Sequence, residues 1–266
     1  MEELGRFHAS SLVFEDSLYP KTIPESFDYF EELWLDSNHP SFNVVTSMIG
    51  SLAENTANYL KSYPKYEKCV KWLNSNLQNM GTYFLGLFEI VLNKNLNVLI
   101  HGDFRATNIL FRYDENNMPI DLRIVDLQQA KKASAAFDIL YYFYTSLSGD
   151  VRTKNYLKLI YIYYQSFSKV LLFLKKKVPF TFKELVEDME KRKVFGFVSG
   201  LYLIPSALAR GEDSYDFADV ADDKMAEYAQ SQTEKFLAIS RREGPFKDRF
   251  LALFDEMLES DLVKEY

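Results

Sequence analysis

Two carboxylates and one amide lie close together in the middle of the chain, in a pattern suited to phosphoryl transfer. Asp103 is followed five residues later by Asn108, and Asp126 comes after two short β-like runs. Transfer of a phosphoryl group to an alcohol needs a carboxylate that orients and deprotonates the hydroxyl, and metal ions that neutralise the phosphates. Oxygen ligands of this kind suit Mg²⁺. The three side chains therefore indicate a site that holds Mg²⁺ and an alcohol hydroxyl together.

Short β-like segments surround these residues and predict how they come together. The predicted strands are 97–100, 109–113 and 120–125, and the turn-forming segment 114–119 joins the last two. A β-hairpin with a short loop is expected there. Pairing of its arms brings Asp126 beside Asn108, while Gly102 allows the chain to turn sharply before Asp103.

The rest of the chain has helical periodicity. Predicted helices cover residues 2–14, 43–60, 66–92, 135–147, 151–176, 223–241 and 245–258. Ser134 is expected to cap one of them, Thr181 and Glu184 form a capping-box pattern, and Pro245 suits a first helical turn. We therefore predict a predominantly helical α+β protein with a single domain over 1–266, in which 1–96 is helical, 97–133 carries the strand and hairpin, and 134–266 is a helical body.

Composition limits the classes of function. The formal net charge of −7 disfavours binding to nucleic-acid phosphates, and the short basic runs Lys131–Lys132 and Lys175–Lys177 are expected to be solvated. Cys69 is the only cysteine, which fits a reducing compartment and a small core residue. No signal peptide or uninterrupted apolar run of about 20 residues is present, so we expect a cytoplasmic protein without a membrane span.

Other polar residues give weaker indications. A metallophosphoesterase site would need several histidine ligands, and the chain has only His8, His39 and His101. His8 is expected to be a packed or partly exposed helix residue, and His39 to be inert in a loop. The acidic run within 213–223 (Asp213, Asp216, Asp219, Asp222 and Asp223) could contact a cationic or hydroxylated substrate, but a solvated face is the simpler reading.

Longer segments around the three side chains resemble a known group of enzymes. Residues 101–111 read His-Gly-Asp-Phe-Arg-Ala-Thr-Asn-Ile-Leu-Phe, and residues 123–128 read Arg-Ile-Val-Asp-Leu-Gln. They resemble the catalytic loop and metal-binding segment of the aminoglycoside phosphotransferase and choline kinase group of protein-kinase-like folds. With Phe137–Tyr141 and the opening Leu4–Ser11, the chain is similar to the insect ecdysteroid-kinase-like family, also called CHK kinase-like, over nearly its whole length.

The resemblance implies an ATP- and Mg²⁺-dependent kinase of a small-molecule alcohol, such as an ecdysteroid or a similar compound. It implies that Asp103 is the catalytic carboxylate that accepts the alcohol proton, and that Asn108 and Asp126 are metal ligands. It also implies two structural roles: His101 frames the catalytic loop, and Asp138 hydrogen-bonds that loop and holds it in place.

The chain also departs from the family pattern. Arg105 stands where the family usually has Trp or His, so it is a candidate contact to the substrate or to a phosphate. No Gly-rich loop or lysine-bearing strand precedes residue 101, and we therefore expect a kinase-like C-lobe with a small β-hairpin platform, its N-lobe missing. The alternative is a truncated, non-catalytic remnant or binding protein. Such a lobe could self-associate through surface that an N-lobe would otherwise cover.

Overall fold

The computed structural model describes residues 1–27, 35–89, 94–208 and 225–266. Its α-helices are α1 (Glu2–Ser17), α2 (Ile23–Ser26), α3 (Pro40–Leu60), α4 (Glu67–Asn76), α5 (Met80–Glu89), α6 (Ala136–Ser146), α7 (Gly149–Phe173), α8 (Phe182–Lys191), α9 (Lys193–Leu208), α10 (Met225–Ser240) and α11 (Pro245–Glu259). Its strands are β1 (Asn97–Ile100), β2 (Ile109–Tyr113), β3 (Pro119–Ile124) and β4 (Lys131–Ser134). The prediction of a mainly helical α+β protein is confirmed.

The chain divides into two compact units. The first contains Met1–Glu32, Ile90–Leu147 and Val151–Gly196, and the second contains Leu33–Glu89, Ser148–Asp150 and Phe197–Tyr266. Both strand pairs, and every candidate site residue named above, belong to the first unit. In the described part of the chain, no helix combines the length and the apolar character that crossing a bilayer requires.

Two antiparallel strand pairs form the β structure of the first unit. The predicted hairpin is present, with Ile109 opposite Ile124 and a register irregularity at Arg112–Tyr113. Its turn is organised by the Asp114 carboxylate, which accepts backbone N–H bonds of 2.9 Å from Asn116 and 2.8 Å from Met118. The hairpin therefore owes its position along the chain to a local side-chain signal.

The second strand pair joins β1 to β4, a strand that the sequence did not predict. Asn97 lies opposite Ser134, and Ile100 lies opposite Lys131. The sequence Lys-Lys-Ala-Ser lacks an apolar alternation, so only its pairing with β1 makes β4 a strand. Ser134 was predicted to cap the following helix, but it is the last residue of β4, and Ala135 occupies the cap position of α6. The Ser134 hydroxyl still accepts a 3.2 Å bond from the Ala136 N–H at the start of α6.

Helices α1, α6 and α7 enclose the buried part of the first unit. Leu4 and His8 of α1 are fully buried, and the Ser11 hydroxyl accepts a 3.1 Å bond from the Leu99 N–H of β1. Helix α1 is thereby tied directly to the strand that precedes the candidate site. The predicted capping box at Thr181 and Glu184 is also present, and it begins α8.

The second unit is helical. Over the described residues 66–89, the predicted helix 66–92 is divided into α4 and α5 by a 3₁₀ turn over Leu77–Asn79, and residues 90–92 lie outside the described part. Helices α3 and α5 approach closely at Gly81, where an added Cβ would lie 2.4 Å from the Thr46 backbone. Helix α11 has Pro245 in its first turn, as predicted. The acidic run within 213–223 lies outside the described residues.

Candidate functional site

The loop between β1 and β2 is shaped by Gly102. This residue has a φ of +84°, and a Cβ added to it would lie 2.1 Å from the carbonyl oxygen of Gln129. A side chain is therefore excluded both by the backbone conformation and by the neighbouring turn. The glycine allows the chain to leave β1 and present Asp103 within one residue of the bend.

Asp103 is largely enclosed, and protein donors already hold its carboxylate. The Tyr141 hydroxyl donates to Oδ1 at 2.7 Å, and the Asn108 amide donates to Oδ2 at 2.9 Å. Nε of Arg105 lies 3.2 Å from each carboxylate oxygen. An ionised carboxylate offers about four acceptor positions. These three donors fix its orientation and leave about one position for an incoming hydroxyl.

Asn108 connects the loop to the end of the hairpin. Its Nδ2 donates 2.9 Å bonds to both the main-chain carbonyl and the carboxylate of Asp103. Because the amide nitrogen faces Asp103, Oδ1 is the atom left to act as a metal ligand. The Val125 N–H donates a 3.0 Å bond to the Asn108 carbonyl, which places Asp126 next to Asn108, as the hairpin pattern predicted.

Asp126 combines an unusual backbone with an exposed carboxylate. Its φ and ψ are 70° and 62°, in the left-handed region that Asp tolerates better than most residues. Its side chain makes no hydrogen bond or ion pair with the residues that the structure describes. Strained backbone that persists in a folded protein tends to mark functional sites. Here the left-handed conformation of Asp126 turns the chain away from the direction of β3, at a point next to Asn108.

The donor set fits Mg²⁺ held through few protein ligands. Within the described ranges there is no group of three or more His, Cys, Asp and Glu side chains that could enclose a metal ion. Asn108 and Asp126 instead offer one amide oxygen and one carboxylate. Mg²⁺ in phosphoryl-transfer sites is commonly bound by one or two protein groups, with water and phosphate oxygens completing the shell. The site is therefore suited to a metal that arrives with a phosphate ligand.

Asp138 and His101 secure the base of the loop. The Asp138 carboxylate accepts backbone N–H bonds from His101 at 2.7 Å and from Gly102 at 2.9 Å. Nε2 of His101 lies 2.8 Å from the carbonyl oxygen of Val125, and Nδ1 is the acceptor of a 3.3 Å bond from the Asp103 N–H. Both side chains are buried. The loop is thus joined to α6 through Asp138 and to the hairpin through His101.

His8 and Tyr163 extend this network into the core, and the sequence did not reveal it. Nε2 of His8 lies 2.9 Å from the Asp138 carboxylate, and Nδ1 shares a 2.8 Å hydrogen bond with the Tyr163 hydroxyl. All three side chains are at most 1% exposed. The Asp138 carboxylate accepts this bond, and Nε2 of His8 donates it. Burial, and secondarily the Asp138 charge, raise the pKa of Tyr163 well above its usual range, so its hydroxyl stays protonated.

Arg105 and Tyr141 both contact Asp103, whereas Cys69 lies in the second unit. The Arg105 side chain is about one-quarter exposed, and its Nε contacts the Asp103 carboxylate. Tyr141 contacts the same carboxylate, although the sequence analysis assigned it no role beyond its place in the Phe137–Tyr141 segment. Cys69 is fully buried in the second unit, and burial raises its pKa to about 12, which makes it a poor nucleophile.

Comparison with known proteins adds one finding to this geometry. Residues 1–176 match the family described as ecdysteroid kinase-like. The chain belongs to the ecdysteroid kinase-like family. In the other two comparisons no curated protein and no solved structure matches. The family match contains every residue of the candidate site, from His8 in α1 to Tyr163 in α7. It ends before α8, so it is shorter than the resemblance inferred from the sequence.

Proposed function

We propose that this member of the ecdysteroid kinase-like family transfers the γ-phosphoryl group of ATP to a hydroxyl of a small molecule, with Mg²⁺. The acceptor that we propose is an ecdysteroid or a similar alcohol, and the proposed location is the cytoplasm. The observation that carries the proposal is the environment of Asp103. Its carboxylate is oriented by three donors and retains about one free acceptor position.

Asp103 would act on the acceptor hydroxyl. The hydroxyl donates its proton to the free position of the carboxylate as its oxygen forms the bond to the γ-phosphorus. The bond between that phosphorus and the bridging oxygen of ADP then breaks, and ADP leaves. Tyr141 and Asn108 would hold the carboxylate in place during this step, because each contacts one of its two oxygens.

Asn108 and Asp126 would hold Mg²⁺ through the amide oxygen and the exposed carboxylate. When bound, Mg²⁺ neutralises charge on the phosphate oxygens and helps to align them. Arg105 would add a positive charge near the phosphates, since its side chain is partly exposed and its Nε contacts Asp103. Asp138 would keep the loop in position through the two backbone N–H groups that it binds.

The direct test replaces Asp103 with Asn and measures phosphate transfer from labelled ATP to a panel of hydroxylated steroids and related alcohols. The expected result is a loss of turnover by at least about two orders of magnitude, in the range that acid–base catalysis contributes. Asp121→Asn is the matched control, because this carboxylate lies on β3 and pairs with Arg123. Turnover by Asp103→Asn at the wild-type rate would contradict the role of Asp103.

A second candidate is a binding protein that holds a hydroxylated ligand without transferring phosphate. The ion pair between Arg105 and Asp103 favours it, because Nε of Arg105 contacts both oxygens of the carboxylate that an acceptor hydroxyl would have to reach. The two candidates differ in their response to Mg-ATP. A kinase should be stabilised by Mg-ATP at sub-millimolar concentration, and Asp126→Asn should weaken that effect. No thermal shift in the wild type would favour the binding protein.

A further inference from the structure

The end of α7 and the residue after it expose three consecutive apolar side chains. Leu172, Phe173 and Leu174 are 62%, 85% and 44% exposed. Successive residues of a helix are about 100° apart, so these three side chains spread over more than half of the circumference of the helix end. They cannot share one buried face, and the result is a protruding apolar tip rather than a groove.

Three lysines follow directly, and only the middle one has an ion-pair partner in the described part of the chain. Nζ of Lys176 lies 2.6 Å from the Asp16 carboxylate at the end of α1. Lys175 and Lys177 are exposed. Lys175 has a φ of +55°, and its N–H bonds the Leu172 carbonyl, so the chain ends the helix and turns back at the tip. The free lysines are therefore held beside the apolar side chains.

We propose that this tip, Leu172–Lys177, binds the surface of an anionic lipid bilayer. The apolar side chains would enter the boundary between headgroups and acyl chains, while Lys175 and Lys177 contact the lipid phosphates and carboxylates. The charge distribution supports this occupant, because a local cluster of unpaired lysines stands on a chain with a net charge of −7.

The shape of the tip favours lipid over a protein partner. A stable protein interface buries about 800 Å² on each side and needs a complementary surface around its anchors. A bilayer accepts protruding side chains without a matching pocket. The sequence alone predicted only a solvated lysine run, because it did not show that the preceding leucines and phenylalanine are uncovered.

Vesicle binding by the full chain tests this inference, and it does not depend on kinase activity. Wild type should co-sediment with vesicles that contain about 30% phosphatidylserine, less with phosphatidylcholine vesicles, and less again at high salt. Leu172→Ser with Phe173→Ser, and separately Lys175→Gln with Lys177→Gln, should each weaken binding about tenfold or more. These positions are exposed, so circular dichroism and Tm should be unchanged.

A matched control lies on the same helix. Leu157 is 57% exposed, and Lys154 and Lys158 beside it are also exposed. Leu157→Ser with Lys154→Gln and Lys158→Gln should leave vesicle binding at the wild-type level. Equal weakening in this control, or no binding of wild type to anionic vesicles, would overturn the proposal.

A depth measurement gives an independent result. Tryptophan introduced as Phe173→Trp should be quenched by lipids that are brominated on their acyl chains, whereas Leu157→Trp should show only the quenching of the native tryptophans. Absence of quenching at position 173 in a vesicle-bound sample would place the contact elsewhere and would also overturn the proposal.

Discussion

Replacement of His8 by Leu is the most informative perturbation of the network behind the candidate site. The change roughly conserves side-chain volume but removes both hydrogen-bonding nitrogens. Asp138 would keep its two backbone donors and lose the third, and the Tyr163 hydroxyl would remain buried without its imidazole partner. The variant therefore separates the polar contribution of His8 from its packing.

The expected cost follows from these two losses. A hydrogen bond to a charged group contributes about 1.5–3 kcal/mol, and a buried hydroxyl left unsatisfied costs about 1–3 kcal/mol. His8→Leu should therefore lower the free energy of unfolding by about 2.5–6 kcal/mol. Tyr163→Phe removes the outer bond alone and should cost about 1–2 kcal/mol. His39→Leu changes a histidine outside this network and should cost less than about 1 kcal/mol.

Two measurements check this prediction. Urea unfolding gives the stability of each variant. Hydrogen exchange reports on the backbone N–H groups of His101 and Gly102, which Asp138 binds directly. In His8→Leu these two amides should exchange faster relative to the amides of β1, because the carboxylate that holds them is less well oriented. A cost of His8→Leu no larger than that of Tyr163→Phe, or unchanged protection of the two amides relative to β1, would contradict this role of His8.

Two further predictions concern glycine and cysteine. Gly102→Ala should destabilise the protein by at least about 2 kcal/mol in urea unfolding, because its φ is +84° and its Cβ would meet the Gln129 carbonyl. Gly86→Ala is the control: no atom lies within 4 Å of the added Cβ, so it should be neutral or stabilise by about 0.5–1 kcal/mol. Equal effects of the two substitutions would contradict the prediction for Gly102. Cys69 should resist thiol reagents at pH 8, since burial raises its pKa to about 12. In the unfolded chain the thiol ionises at about pH 8.5. The contribution of Cys69 to the free energy of unfolding is therefore complete below that pH and falls by up to about 1.4 kcal/mol per pH unit above it. In urea unfolding, Cys69→Ala should lose less stability than the wild type as the pH rises above that value. Rapid labelling of the thiol in the folded protein would contradict the prediction that Cys69 is unreactive.

Local signals explain why much of the site could be predicted. The spacing of Asp103 and Asn108 fits within one loop, and the turn at Asp114 sets the hairpin that carries Asp126 beside them. Each of these features depends on residues a few positions apart. The same holds for the capping box at Thr181, whose members are three residues apart.

The parts that the sequence did not reveal depend on distant residues. The strand β4 has no apolar pattern of its own and forms against β1. The Tyr141 contact to Asp103 joins residues 38 positions apart, and the bonds of His8 to Asp138 and Tyr163 span 130 and 155 positions. No local periodicity encodes such pairs, because the packing of α1, α6 and α7 brings them together.

The types and the local order of the groups that could transfer a phosphoryl group follow from the amino-acid sequence, since turn chemistry and strand pairing act over short distances. Only the packing of the folded chain places His8 behind Asp138 and Tyr141 against Asp103, and it leaves Leu172–Leu174 uncovered beside free lysines. The physical reason is that burial and hydrogen bonding are properties of the whole packed unit, and they assign different environments to residues whose local sequences give no sign of the difference.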